Sequence, residues 1–513
     1  MVKDKRYILA IDVGTSLIRS SISNTAYTVK SVSSEKLKLL YPKKGYVEID
    51  PEYLWNATLS VTKNAISDSN INKNKIVGMG ISTQRASFIT WRKDTGVPFH
   101  NFITWKDLRA DDIVKAWDKS VTVNFLKFFS YCLYLTTRNQ RYLAGSKLRI
   151  SNLLVTFRLL WAIKNIPELK KCLEKNNVMF GTIETWLIYK FTKGKTYVTD
   201  ISNASATGLY DPFLLQWNTL CCLIFDIPMK ILPKVVNCDY DFGFVDKEIL
   251  GTTIPINCVM SDQSASLFGS CCFHYGNVKL TMGTGSFLNV NTGCKAYGSH
   301  SEVYPLVAWK MNDGDTIFMQ ETSSNDTGSL IEWIINTELI KNAPESSEIA
   351  ESAQGNNGVY FIPAFSGFWL PINDPNATSG FIGVTPTSTK CHLVRAVLES
   401  IVFQIYLMVN VMIKERVGKF KKIRVDGGVS KNDFILSSLA SILDMEIERT
   451  ISTEMSVQGV TYVAGIKAGL WTKEYLSKLP QDKTFTPDLK KRQYFKKEFE
   501  TWMRAVERFT KWN

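Results

Sequence analysis

Residues 7–23 read Tyr-Ile-Leu-Ala-Ile-Asp-Val-Gly-Thr-Ser-Leu-Ile-Arg-Ser-Ser-Ile-Ser. An apolar run meets a turn at Asp12-Val13-Gly14-Thr15-Ser16 and returns as a second run. Short apolar runs bounded by turn residues predict strands covered on both faces. The same grammar recurs at 278–291, Val-Lys-Leu-Thr-Met-Gly-Thr-Gly-Ser-Phe-Leu-Asn-Val-Asn. Two such hairpins about half a chain apart predict duplicated domains that face each other; chance is the competing reading, because short glycine hairpins are common.

Between and beyond them lie a strand at 76–81 and amphipathic helices at 51–67 and 157–166. The stretch 393–413 is apolar on nearly all sides but carries Arg395, Glu399 and Asn410, which predicts a buried central helix rather than a membrane span. Alternating strands and helices make the class α/β. A chain of 513 residues exceeds one core. The expected boundary divides it into 1–258 and 259–513, just before Ser261-Asp262-Gln263. The interval 118–151 is basic and aromatic without a clear period and reads as an insertion. Its segment 125–135 is expected to be buried in the core or at a subunit interface, with a partner or membrane-surface contact as the alternative.

Hydrophobic residues at 45% and charged residues at 21% describe a globular protein. The net charge of +13 does not by itself select a nucleic acid, because the lysines are scattered. The densest run, Lys490, Lys491, Arg492, Lys496 and Lys497, reads as a solvated helix face. Ten cysteines without a Cys-x-x-Cys spacing read as reduced thiols. The first strand begins too early for a signal peptide, and no stretch is expected to span a membrane, so the expected location is cytoplasmic.

Phosphate recognition needs backbone N–H groups and hydroxyls at a tight turn, with a carboxylate for a hydrated cation. Asp12 to Ser16 supplies these, with Arg19 nearby, although a plain hairpin turn would look alike. Gly283-Thr284-Gly285 offers a second loop. Asp426-Gly427-Gly428, after a strand and before a helix expected to contain Asn432, offers a third. Together they favour a nucleotide cleft. Gly194-Lys195-Thr196 is no P-loop, since Tyr189 stands at the first glycine position. Gly78-Met79-Gly80 fails as a dinucleotide fingerprint at Thr83. The four histidines show no metal-binding spacing.

Several ordered motifs add to this: Gly45 to Pro51 (Gly-Tyr-Val-Glu-Ile-Asp-Pro), Gly80 to Arg85 (Gly-Ile-Ser-Thr-Gln-Arg), Phe180 to Leu187 (Phe-Gly-Thr-Ile-Glu-Thr-Trp-Leu), Thr199-Asp200, Ser261-Asp262-Gln263, and His392 with Arg395 and Glu399. Through them, and over nearly the full length, the chain resembles the FGGY carbohydrate kinases, most closely the glycerol kinases and, within those, a divergent animal branch. The resemblance implies an actin-like ATPase fold of two ribonuclease-H-like domains around a central nucleotide cleft. It implies ATP and Mg²⁺, a small polyol as acceptor, and a homodimer or homotetramer. By the same resemblance Thr15, Ser16 and Arg19 meet the phosphates, and Asp12 holds Mg²⁺ through water. Gly283, Thr284, Gly328, Glu332, Gly428 and Asn432 surround the rest of the nucleotide, Glu332 standing where the family has Gln. Arg85, Trp105, Asp262, Gln263 and Phe287 would grip the acceptor, and Asp262 would take its hydroxyl proton. A helix N-cap is a second role open to Asp262.

On the acceptor side the chain departs from the pattern at two positions. The glutamate beside the arginine is Ala86, and Leu153 falls near the place of a tyrosine. A carboxylate bonded to a buried hydroxyl is worth ~1.5–3 kcal/mol, so its loss weakens glycerol binding about tenfold or more. Glycerol leads, with another small sugar or polyol, or a weakly active nucleotide-binding scaffold, as alternatives.

Overall fold

The computed structural model describes residues 5–512 apart from 302, 313, 369, 370, 416, 417 and 419. A first sheet holds β1 (Tyr7–Val13), β2 (Leu17–Asn24), β3 (Val29–Lys36), β4 (Ile76–Thr83) and β5 (Ile256–Ser261), in the order β5-β4-β1-β2-β3. A second holds β6 (Val278–Met282), β7 (Ser286–Gly293), β8 (Tyr304–Trp309), β9 (Ile317–Ser324), β10 (Lys422–Asp426), β11 (Glu446–Arg449) and β12 (Lys483–Phe485), in the order β8-β9-β7-β6-β10-β11-β12. The run β11-β10-β6-β7-β9 repeats the whole first sheet, with the same parallel and antiparallel partners in the same order. The recurrent hairpin is therefore the visible part of a duplicated unit.

Burial explains the apolar run of β1. Successive side chains of a strand point to opposite faces. Leu9, Ile11 and Val13 enter the core of the first domain, while Ile8 and Ala10 enter a cluster between the domains. Helix α1 (Pro51–Asp68) covers β2 and β3, starting at Asp50, whose carboxylate accepts the Tyr53 N–H at 2.8 Å. Next come α2 (Val121–Thr137), α3 (Gln140–Ser146) and α4 (Val155–Asn165). The insertion thus folds as a helix pair, and burial of 125–135 in the core of the protomer is not found. Val123 is the buried residue of α2, whereas Phe125 and Phe128 are 63% and 66% exposed. Hydrophobicity argued for a cover that the rest of the protomer does not provide.

After β5 comes α5 (Asp262–Gly269), and later α6 (Gly328–Asn336), α7 (Lys390–Lys414), α8 (Asp433–Leu443), α9 (Met455–Lys467) and α10 (Leu489–Phe509). Helix α7 is the expected buried one; it is long and apolar enough to cross a membrane but lies in the second core. Its Arg395 and Glu399 satisfy each other at 2.7 Å, with the Tyr494 hydroxyl donating to Glu399 at 3.0 Å. The exposed lysines of 490–497 lie on α10.

Strand β5 pairs in parallel with β4, so the first sheet runs past 258 to Ser261. Helix α9, from late in the chain, lies on β1, β4 and β5 and packs against α5. A Cβ on Gly459 would stand 1.8 Å from the Ala265 carbonyl, and only glycine permits that approach. The halves share two helices instead of a linker.

Candidate active site

Each phosphate-type turn sits where a strand ends at the cleft. Asp12 closes β1, and the Gly14 N–H donates to the Leu17 carbonyl at 2.9 Å to tighten the turn. Thr15 is half-buried and Ser16 exposed at its tip. From the other domain, Gly283 N–H donates to Gly285 O at 2.9 Å and leaves Thr284 exposed. The start of α6 supports this turn, Gly328 N–H donating to Gly283 O at 2.9 Å and Ser329 N–H to Thr284 O at 3.2 Å. A Cβ on Gly328 would lie 2.5 Å from the Gly283 carbonyl. Gly328→Ala is therefore expected to push Thr284 away and raise the KM for ATP about tenfold, since small misplacements at reacting groups cost factors of this size. Initial rates at saturating acceptor check this. Gly428 borders open space, and Gly427 before it has φ +89°.

Two residues expected at the nucleotide, Asn432 and Arg19, are engaged with protein groups. Asn432 lies outside the helix as its N-cap, accepting the Ile435 N–H at 3.0 Å and donating to Ser346 Oγ at 2.9 Å. Arg19 reaches the cleft wall but forms an ion pair with Glu454. Glu332 is exposed on α6, where its charge opposes the lowering of the Lys106 pKa by burial. Asp426 is buried and accepts from Thr281 Oγ1 at 2.6 Å and Ser266 Oγ at 2.8 Å. Asp12 differs: it is buried and its Oδ1 has no hydrogen-bond partner among the described residues. Burial pushes its carboxyl up to about 7, with the charges of Asp262 and Glu454 adding to the effect. An orphaned buried carboxylate oxygen at a phosphate turn fits a hydrated Mg²⁺.

The acceptor side meets the phosphate turn directly. Trp105 Nε1 donates to Thr15 Oγ1 at 3.1 Å, and Gln84 Nε2 holds the Gly14 carbonyl at 3.0 Å. Asp262 is the first residue of α5, and Ser261 is the N-cap, so Asp262 is not the cap. Its carboxylate accepts the Gln263 N–H at 2.8 Å and lies 3.4 Å from Arg85 Nε, with 24% of the side chain open to the cleft. Burial raises the Asp262 pKa, against the lowering pull of Arg85. Arg85 also donates to Glu321 Oε1 at 2.7 Å, and Asn289 Nδ2 donates to Glu321 Oε2 at 2.8 Å. Gln263 is turned inward, its Oε1 taken by Lys279 Nζ at 2.7 Å. The Phe287 ring centre is 6.0 Å from the Arg85 guanidinium carbon. Ala86 is buried at φ +59°, a left-handed backbone unusual for a residue other than glycine.

Three residues absent from the sequence reading shape this side. Glu321 comes from β9, a strand of the other domain, and no motif marked it. Lys279, buried in β6, fixes Gln263. Arg158 on α4 is fully buried; its guanidinium donates to the carbonyls of Asn152, Leu153, Ile103 and Thr104. It thereby fixes both the segment leading into Trp105 and the loop bearing Leu153. Burial lowers its pKa to about 9.

The duplicated sheets, the facing turns and the shared helices agree with comparisons to known proteins. Residues 7–269 match the N-terminal domain model of the FGGY family of carbohydrate kinases, and residues 278–468 match its C-terminal domain model. The chain belongs to the FGGY family of carbohydrate kinases. This FGGY kinase is 42% identical to glycerol kinase 5 of Danio rerio, over 99% of the chain and 98% of that protein. It is 35% identical to glycerol kinase 1 of Clostridium tetani, over 99% of each. Among solved structures, Plasmodium falciparum glycerol kinase with ADP superposes with a TM-score of 0.85 at 29% identity, covering 98% of both chains. The fold of this FGGY kinase is thus the expected two-domain α/β one with actin-like, ribonuclease-H-like halves, and the enzyme is an ATP-dependent kinase.

Proposed function

We propose that the kinase transfers the γ-phosphoryl group of ATP to a hydroxyl of glycerol, giving glycerol 3-phosphate and ADP. The observation that supports this reading is the meeting of the two sides: Trp105 contacts Thr15 of the phosphate turn, and Asp262 opens into the cleft beside Arg85. The acceptor oxygen bonds to the γ-phosphorus as the bond to the β-bridging oxygen breaks, and the hydroxyl proton passes to Asp262. Phosphoryl transfer asks the protein mainly for positioning and charge neutralisation. Thr15, Ser16, Thr284 and the backbone around Gly283 and Gly428 present donors to the phosphates. Asp12 would hold Mg²⁺, which neutralises charge on the phosphates. Among the described residues no three ligand side chains converge on a metal site, so water and the phosphates would supply the rest of the shell. Closure of the two domains would exclude water and so limit ATP hydrolysis.

Glu321 answers the loss at Ala86. It supplies a carboxylate against Arg85 from the opposite domain, so Arg85 keeps a counter-charge and the acceptor keeps a hydrogen-bond acceptor near Asp262. ATP consumption over a panel of polyols and ketoses tests the reading. Glycerol is expected to give the highest kcat/KM, and Glu321→Gln to raise the glycerol KM about tenfold with the ATP KM unchanged. ATP binding without turnover on any acceptor would overturn the proposal. A higher kcat/KM for a longer or less polar polyol would favour the second reading, which rests on the apolar Ala86 and Leu153.

A further inference from the structure

Helix α2 carries large apolar side chains that the protomer does not cover. Val121 is 85% exposed, Phe125 63%, Phe128 66%, Phe129 51%, Tyr131 46% and Leu135 46%. At 100° per residue these positions share one face, and Val123 lies on the opposite side, toward the protein. Contiguous exposed apolar area of this kind marks an interaction surface. The ends of the hairpin fix it in place: Tyr134 stacks edge-on with His300, and a Cβ on Gly298 would stand 2.5 Å from the Gln140 carbonyl. The helix is therefore held in a defined position across both domains.

Charge identifies the occupant. From Lys119 to Pro167 the chain contains no Asp or Glu, while 119–149 carries Lys119, Lys127, Arg138, Arg141, Lys147 and Arg149. Lys127 and Arg141 are held by Asp118 and Asp211, and Arg149 donates to Asn373. Lys119, Arg138 and Lys147 are exposed, the first two at the two ends of α2 and the third beside exposed Leu148. A second copy is a poor fit, because a two-fold contact would set each set of cations against its own image. An aromatic face flanked by exposed cations, with the nearby acid Asp118 paired to Lys127, suits an anionic bilayer surface, where rings enter the interface and lysines meet headgroups. With Lys127 at its middle and packed on the protein through Val123, the helix would rest in the plane of the membrane instead of crossing it.

We propose that α2 docks the kinase on anionic phospholipid membranes through the Phe125, Phe128 and Phe129 face. The full chain is mixed with vesicles of phosphatidylcholine alone or with added phosphatidylserine and sedimented. Binding is expected to the anionic vesicles, falling as salt rises, and to drop about tenfold or more when Phe125→Ser, Phe128→Ser and Phe129→Ser are combined. Arg138→Glu with Lys147→Glu should weaken it similarly. Kinase turnover in solution should not change in either variant. The salt dependence of the unaltered chain tests the idea even if a variant folds poorly. Equal sedimentation with neutral vesicles, no sedimentation with either, or a soluble dimer that the triple serine variant dissolves without any vesicle-bound fraction would each overturn it.

Discussion

Asp262→Asn is expected to lower kcat by about 10²- to 10⁴-fold, the usual contribution of a positioned general base, while the KM for ATP stays within about twofold. The asparagine fills the same space and can still take the Gln263 N–H that the carboxylate accepts at 2.8 Å, so the start of α5 should not move. What it loses is a basic oxygen facing the acceptor and the charge opposite Arg85 at 3.4 Å. The pH profile supplies a second test. Burial raises the Asp262 pKa from its ordinary value, against the pull of Arg85, and a base must be ionised to accept a proton. The wild-type rate should fall as pH drops through that raised value, and the residual rate of Asp262→Asn should lose this limb. Steady-state kinetics against pH measures both. A variant retaining near-normal kcat would remove Asp262 from the chemistry.

Arg158→Leu is expected to destabilise the protein by about 3–5 kcal/mol, the scale for breaking a buried charged network. The leucine leaves the carbonyls of Asn152, Leu153, Ile103 and Thr104 without the donors that now hold them at 2.5–3.2 Å. Each orphaned buried acceptor costs about 1–3 kcal/mol before relaxation and water entry. Arg158→Lys should be intermediate, because an ammonium has three donors and cannot span four carbonyls in a plane. Guanidinium unfolding curves give the stability. The glycerol KM of Arg158→Lys should rise as well, since the same side chain positions the segment leading into Trp105. Unchanged stability in Arg158→Leu would mean that the loops hold themselves.

Much of the nucleotide side was legible in the chain. Asp12 to Ser16 and Gly283 to Gly285 are local: strand, glycine and hydroxyl lie within a few residues, and both turns leave a hydroxyl exposed at the tip. The acceptor side was legible only in part: Arg85 stands 3.4 Å from Asp262, but Glu321, its other carboxylate partner, lies 236 residues from Arg85. Arg158 was illegible for another reason. An arginine on an amphipathic helix ordinarily faces water, and its burial follows from two irregular segments whose carbonyls need donors. Asn432 and Asp262 show the reverse error at helix starts, one expected inside a helix that it caps, the other a candidate cap that stands one residue inside.

The sequence by itself determined the class, the duplicated hairpin and the phosphate turns, because periodicity and glycine act over a few residues. Tertiary structure alone decided that β5 joins the first sheet, that Glu321 stands against Arg85, and that the aromatic face of α2 stays uncovered. The physical reason is common to all three. Strand pairing, ion pairing and burial depend on what the folded chain brings alongside a residue, and hydrophobicity or charge records a residue's need for a partner without naming it.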